Sequence, residues 1–247
     1  MRTRRLRIVV AYDGSGFAGW QSQKEGNTIQ DQLEAAFTRV TGEKVRVHGA
    51  GRTDAGVHAI GQCAHVDLAS ALESAALQAA LNAHLPPTVR VMRCRFVGHD
   101  FHARFSARGK IYRYRIATTT VLSPFEIGRV WHVVSSLDLT ALKSCADLFI
   151  GRHDFANFTA NRGKPVKSTI RTIHAVRLRQ SSGLLTIEFE GDGFLYRMVR
   201  MMVAAMVRCG QGKLTPAEVR QRLLGVVGSG SRMVAPAAGL ILVRVRY

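Results

Sequence analysis

Acidic residues are scarce in this 247-residue chain. Seventeen Asp plus Glu stand against 35 Lys plus Arg, for a formal net charge of +18 and a pI near 10.9. A surplus of this size points to a polyanionic partner, because each neutralised phosphate releases counterions. The alternative is a composition that is simply rich in arginine. Cysteine is also sparse: Cys63, Cys94, Cys145 and Cys209 form no C-x-x-C pair, which argues against a zinc ribbon or a redox motif. No apolar run approaches the ~20 residues of a membrane span. The start MRTRRLRIVVAYDG is basic, but its apolar run soon meets Asp13, too short for a secretory signal. A cytoplasmic protein with reduced thiols, off the membrane, is expected. There is no P-loop and no G-x-S-x-G. The histidine pairs His99/His102 and His58/His65 lack metal-ligand spacing. No internal repeat, low-complexity tract or flexible linker is visible.

What is present is unevenly distributed. Between Asp100 and Glu126 lie Arg104, Arg108, Lys110, Arg113 and Arg115 without an acid. Between Asp154 and Glu188 lie Arg162, Lys164, Lys167, Arg171, Arg177 and Arg179, again without one, and none follows Glu218. These segments also carry apolar residues, so they are not a solvated basic tail.

The hydrophobic pattern alternates between strand and helix periods. RLRIVVAY (5–12) reads as a strand, followed by the glycine-rich loop YDGSGFAGWQSQKEGN. Ile29, Leu33, Phe37 and Val40 then recur at helical spacing, after Thr28 and Asp31, a pair close to a capping box. Residues 44–48, 57–68 and 89–97 read as strands, and 71–83 as a helix ended by Pro86-Pro87. Further on, 110–118 and 128–134 are strand candidates, and 138–150 is a helix stopped by Gly151. IRTIHAVRLRQ and LLTIEFEG form a hairpin across Ser181-Ser182-Gly183. FLYRMVRMMVAAMVRCG is a long helix, TPAEVRQRLLG a second with Pro216 at its start, and LILVRVRY a closing strand. Helices between groups of antiparallel strands give an α+β class. The polar turn FSARGK suggests a boundary near 105–110, hence subdomains 1–108 and 109–247.

Three stretches can carry chemistry. In GAGRTDAGVHAIGQCAHV (49–66) an Arg, a Thr and an Asp occupy a glycine-flanked turn before a strand. Asp-Ala-Gly can be a turn and nothing more. The helix 194–209 is apolar nearly all round, yet Arg197, Arg200 and Arg208 fall within an arc of about 80°. A buried guanidinium needs an anionic partner, and Asp54 is a candidate; a solvent-facing basic stripe is the other possibility. In FHARFSARGKIYRYRI (101–116), Phe101, Phe105, Tyr112 and Tyr114 interleave with five basic residues. Aromatic faces stack bases while Arg and Lys hold phosphates. The same pattern is also a half-buried strand with a structural tyrosine.

Taken together, GRTDAGVHA, K-x-YRY at 110–114 and GFLYRMVR at 193–200 resemble the tRNA pseudouridine synthase A family. So do YDGSGFAGWQSQ, FHARFSARGK, DFANFTA and APAAGLILVRVRY, and the resemblance runs from residue 7 to 247. It implies two pseudo-symmetric ferredoxin/RRM-like halves whose antiparallel sheets join, with the active cleft between them. It implies an isomerase that turns uridine into pseudouridine at positions 38, 39 and 40 of the tRNA anticodon stem-loop, as a homodimer without cofactor or metal. Carried over, Asp54 is the catalytic residue, Tyr112 contacts the target base and Arg200 pairs the aspartate. Arg52 is an RNA contact or an aid to base extrusion. Arg197, Arg104 and Lys110 are additional RNA contacts. The competing readings are a non-catalytic basic RNA-binding protein and an RNA glycosylase or nuclease. The last usually needs clustered acids or paired histidines, and neither is evident.

Overall fold

The computed structural model describes residues 3–160, 168–226 and 233–247. Arg162, Lys164 and Lys167 lie outside the described residues. The chain divides into two compact units, one running up to Arg108 and including Ile241–Tyr247, the other Gly109–Leu240. The closing strand, assigned by a 108/109 division to the second half, thus belongs with the first.

In the first unit the strand order is β4 (Val89–Val97), β1 (Arg4–Tyr12), β3 (His58–Leu68), β10 (Leu240–Arg246). β1 is antiparallel to both β4 and β3, with Ile8 opposite Cys94 and Ala64. β10 runs parallel to β3, with Ile241 opposite His58. Strict alternation along β1 sends Leu6, Ile8, Val10 and Tyr12 into the core. Helix α1 (Ile29–Thr41) begins at the expected capping box. Thr28 Oγ1 accepts from Asp31 N–H at 3.2 Å, and the Asp31 carboxylate accepts from Thr28 N–H. α1 buries Ile29, Leu33 and Phe37, and α2 (Ser74–His84) buries Leu77 and Leu81.

The strand expected over 44–48 contracts to β2 (His48–Gly49). Side chains of α1 take the backbone groups that a ladder would have used. Val47 N–H donates to Glu34 Oε1 at 3.0 Å, and Gln30 Nε2 donates to Val47 C=O at 3.1 Å.

The second unit has the order β5 (Gly109–Ala117), β9 (Leu184–Gly191), β8 (Ile170–Ser181), β7 (Gly151–Asp154), all antiparallel. The β8–β9 hairpin turns at Ser182-Gly183 as expected. The strand expected over 128–134 reduces to β6 (Trp131–His132), because Arg129 is spent in a turn to Glu126. The four residues of β7 gave no strand signal in the sequence. Helices α3 (Leu139–Asp147), α4 (Met198–Gly210) and α5 (Pro216–Leu223) complete the unit, and α4 is buried on almost every face.

α4 begins at Met198, four residues later than its apolar run. Arg197 has φ +60°, a left-handed conformation that cannot continue a right-handed helix. The preceding turn is clamped from outside: Ala160 N–H and Thr159 Oγ1 both donate to Tyr196 C=O. Among the described residues no helix is long and apolar enough to cross a membrane.

Candidate active site

Asp54 opens a four-residue turn at the head of β3. Val57 N–H donates to Asp54 C=O at 3.1 Å, and Gly56 at the third position has φ +75°, as a type II turn requires. The turn is built into the core from behind. Thr53 is buried, and its hydroxyl lies 2.9 Å from that of Tyr12 at the end of β1. Burial raises the Tyr12 phenol pKa above its ordinary value, so the phenol stays neutral. Buried Gln62 donates from Nε2 to Gly51 C=O at 2.9 Å. Arg52, by contrast, is exposed, and Asp54 is half-buried. Alternation along the turn therefore points Thr53 inward and leaves its charged neighbours toward the surface.

A second loop locks this turn. Trp20 N–H donates to Thr53 C=O at 3.1 Å, and Trp20 is itself 2% exposed. Gly19 has φ +98°, and a Cβ there would lie 2.7 Å from Thr53 C=O and 3.1 Å from the Ala55 nitrogen. Only glycine lets the loop approach the backbone on both sides of Asp54. The sequence displayed this loop as YDGSGFAGWQSQ but gave it no role. Its signal was the pair of glycines flanking Phe17 and Ala18, whose purpose depends on a contact about 35 residues away in the chain.

Of the remaining expected residues, Lys110, Tyr112, Arg197 and Arg200 belong to the second unit and Arg104 to the first. Tyr112 and Tyr114 share the inward face of β5, where Tyr112 stands opposite Phe189. Tyr114 is fully buried, and its hydroxyl donates to Pro236 C=O at 2.7 Å, so it is the structural tyrosine. Tyr112 keeps 8% exposure and meets Phe194 edge-on at 5.1 Å. Lys110 is half-buried on the same strand. Arg200, half-buried in the first turn of α4, donates from Nε to Ala235 C=O at 2.7 Å. Ala235 N–H returns a bond to Arg200 C=O at 3.1 Å. The APAAG segment thereby fixes the direction of this guanidinium. Arg197 is exposed, with its guanidinium 4.9 Å from the Tyr196 ring centre.

Several arginines of the acid-free stretches are already matched. Arg113 pairs with Glu188 at 2.7 Å, Arg115 with Glu126 at 2.8 Å and Arg177 with Glu190 at 3.1 Å. Arg104 and Arg108 are exposed.

A model of the tRNA pseudouridine synthase family matches residues 8–106 and 145–247. A tRNA pseudouridine synthase A of Methylacidiphilum infernorum is 42% identical over 241 residues, covering 98% of this chain and 94% of the relative. One of Akkermansia muciniphila is 42% identical over 251 residues, covering 98% and 95%. One of Solidesulfovibrio magneticus is 44% identical over 250 residues, covering 98% and 91%. Nearly full coverage on both sides, at this identity, makes the chain a member of the tRNA pseudouridine synthase family.

Proposed function

We propose that the chain isomerises uridine to pseudouridine in tRNA, at positions 38, 39 and 40 of the anticodon stem-loop, with Asp54 as the catalytic residue. The reaction breaks the bond from N1 to C1′, turns the uracil and joins C5 to C1′. C5 loses its proton and N1 ends with one, so atoms and charge balance with no oxidant, nucleotide or metal. A carboxylate serves this either as nucleophile at C1′ or by helping expel the base, as in glycosyl transfer. Stem uridines are paired and stacked, so the base must first be extruded. Arg52, exposed on the same turn, contacts the RNA or aids that extrusion. Tyr112 contacts the turned base and Arg200 pairs the aspartate. Arg197, Arg104 and Lys110 hold flanking phosphates.

The observation that carries the reading is the construction around Asp54. A half-buried carboxylate sits on a turn whose backbone is fixed from behind by Thr53, Tyr12 and the Gly19–Trp20 loop. A turn needed only to join strands has no use for such a clamp, whereas preorganised chemistry does. The reading also includes two pseudo-symmetric halves whose sheets join, a cleft between them, a homodimer and a cytoplasmic location. The four free cysteines agree with a reducing compartment.

The test is tritium release from [5-³H]uridine-labelled tRNA without added metal or nucleotide. Wild type should release tritium and leave the chain intact. Asp54→Ala and Asp54→Asn should lose roughly 10³-fold or more while still binding tRNA. Binding without release by wild type would favour a non-catalytic RNA-binding protein.

A further inference from the structure

Four aromatic residues interleave with basic ones between 101 and 114, and three of them are largely packed within the protein. Tyr114 is fully buried and Tyr112 nearly so. Phe101 packs on Tyr247 at 5.0 Å between ring centres, with the Arg7 guanidinium over both rings. Phe105 alone stands out, with 77% of its surface exposed. Exposure by itself carries nothing, since Phe125 is 83% exposed and no ring backs it among the described residues.

What distinguishes Phe105 is how it is held. The backbone of residues 101–106 is tied at almost every step. His102 Nδ1 accepts from both Arg104 N–H and Phe105 N–H, at 3.1 and 3.2 Å. Ala103 N–H donates to His65 Nδ1 at 3.1 Å, and the Tyr247 hydroxyl donates to Ala103 C=O at 2.7 Å. His102 N–H donates to the Ser106 hydroxyl at 2.9 Å, and Ser106 N–H donates back to His102 C=O. Rings then meet in series: His48 stacked on His65 at 5.0 Å, His65 edge-on to His102 at 4.6 Å, and His102 against Phe105 at 4.3 Å and 32°. Phe105 is the outermost member. One of its faces is backed by His102, and the guanidinium of the exposed Arg104 lies over the ring, 5.7 Å from its centre.

From this geometry we infer that Phe105 is a nucleobase-stacking platform for tRNA: an unpaired base takes the outer face of the ring, and the exposed Arg104 guanidinium moves from over the ring to the neighbouring phosphate. A rigid aromatic face needs little ordering when it binds, and every base offers a π-face, so stacking is strong and tolerant of sequence. The inference rests on tRNA being the substrate. It adds a contact on the first unit that is separate from the Asp54 turn.

The experiment measures the Kd for tRNA by filter binding, beside tritium release under single turnover. Phe105→Ala should weaken binding by roughly 10- to 100-fold, Phe105→Trp should retain it, and Phe105→Leu should behave like the alanine variant. Thermal melting should be unchanged, because the side chain is mostly exposed. Wild-type affinity in Phe105→Ala, or in Phe105→Leu, overturns the platform. As an independent readout, tRNA should quench the fluorescence of Phe105→Trp more than it quenches Trp20 and Trp131 of wild type. Equal quenching also overturns it. Absence of tritium release by wild type would defeat the isomerase reading alone, since the binding and quenching results bear on Phe105 without it.

Discussion

His65 shows how a single buried group couples the first unit to pH. It is 2% exposed, and its Nδ1 accepts from Ala103, which leaves the ring proton on Nε2. Burial, and then the positive charge of His102, Arg5 and His48, pulls its pKa down to about 4, with Asp67 opposing. Arg7 faces it from β1. Burial also lowers the pKa of the neighbouring His102. A histidine whose folded pKa lies below the unfolded value of about 6.5 binds fewer protons folded than unfolded. Its contribution is complete above pH ~6.5 and is lost as the pH falls toward the folded value. At pH 5 the loss is at most about 2 kcal/mol, or roughly 4–8 °C in Tm. Wild type should therefore melt lower at pH 5 than at pH 7.5. His65→Asn takes up no proton, and its amide oxygen can accept from Ala103, so it should show a smaller drop. Equal drops in both proteins would assign the effect to other groups. Protonation would also remove the acceptor that holds the Phe105 loop, so tRNA affinity should fall together with stability.

At the scale of elements, α4 is set by the residue before it. Its sequence is apolar from Phe194 onward, yet the helix waits for Met198 because Arg197 is held at φ +60°. A non-glycine residue pays about 1–2 kcal/mol for that conformation. The clamp on Tyr196 by Thr159 and Ala160 maintains it, and it sets where Arg200 emerges in the first turn. Arg197→Gly should melt above Arg197→Ala by about 1 kcal/mol, since both variants lose the cation and only glycine relieves the strain. If Arg197 also holds phosphate, both variants should bind tRNA more weakly than wild type by a similar factor. A lower melting point for Arg197→Gly than for Arg197→Ala would mean that the turn stores no strain.

At the scale of the whole molecule, charge dominates. The +18 surplus is not evenly available, because Arg5, Arg113, Arg115 and Arg177 have carboxylate partners within their own units. Exposed Arg52, Arg104, Arg108 and Arg197 offer their charge to solvent. Affinity for tRNA should fall at least roughly 10-fold between about 50 and 200 mM salt. Arg104→Ala should reduce the slope of log K against log salt by about one, while Arg113→Ala should leave it unchanged. A flat salt response would remove phosphate binding from the account.

Local signals in the sequence determined most of the elements. The alternation of β1, the Thr28–Asp31 cap, Pro216 at the start of α5 and the Ser182-Gly183 turn depend on residues a few positions apart. The Asp54 turn was legible for the same reason, since Gly56 two positions on permits it. Net charge is additive and needs no fold. Tertiary structure alone decided the rest. It gave Val47 to the side chains of α1 and so shortened a strand, put β10 beside β3, and matched arginines with carboxylates about 10 to 75 residues away. It also separated four similar aromatics into three packed rings and one exposed face. Periodicity reports which side of an element is apolar. It does not report what covers that side, because the covering residues come from distant parts of the chain.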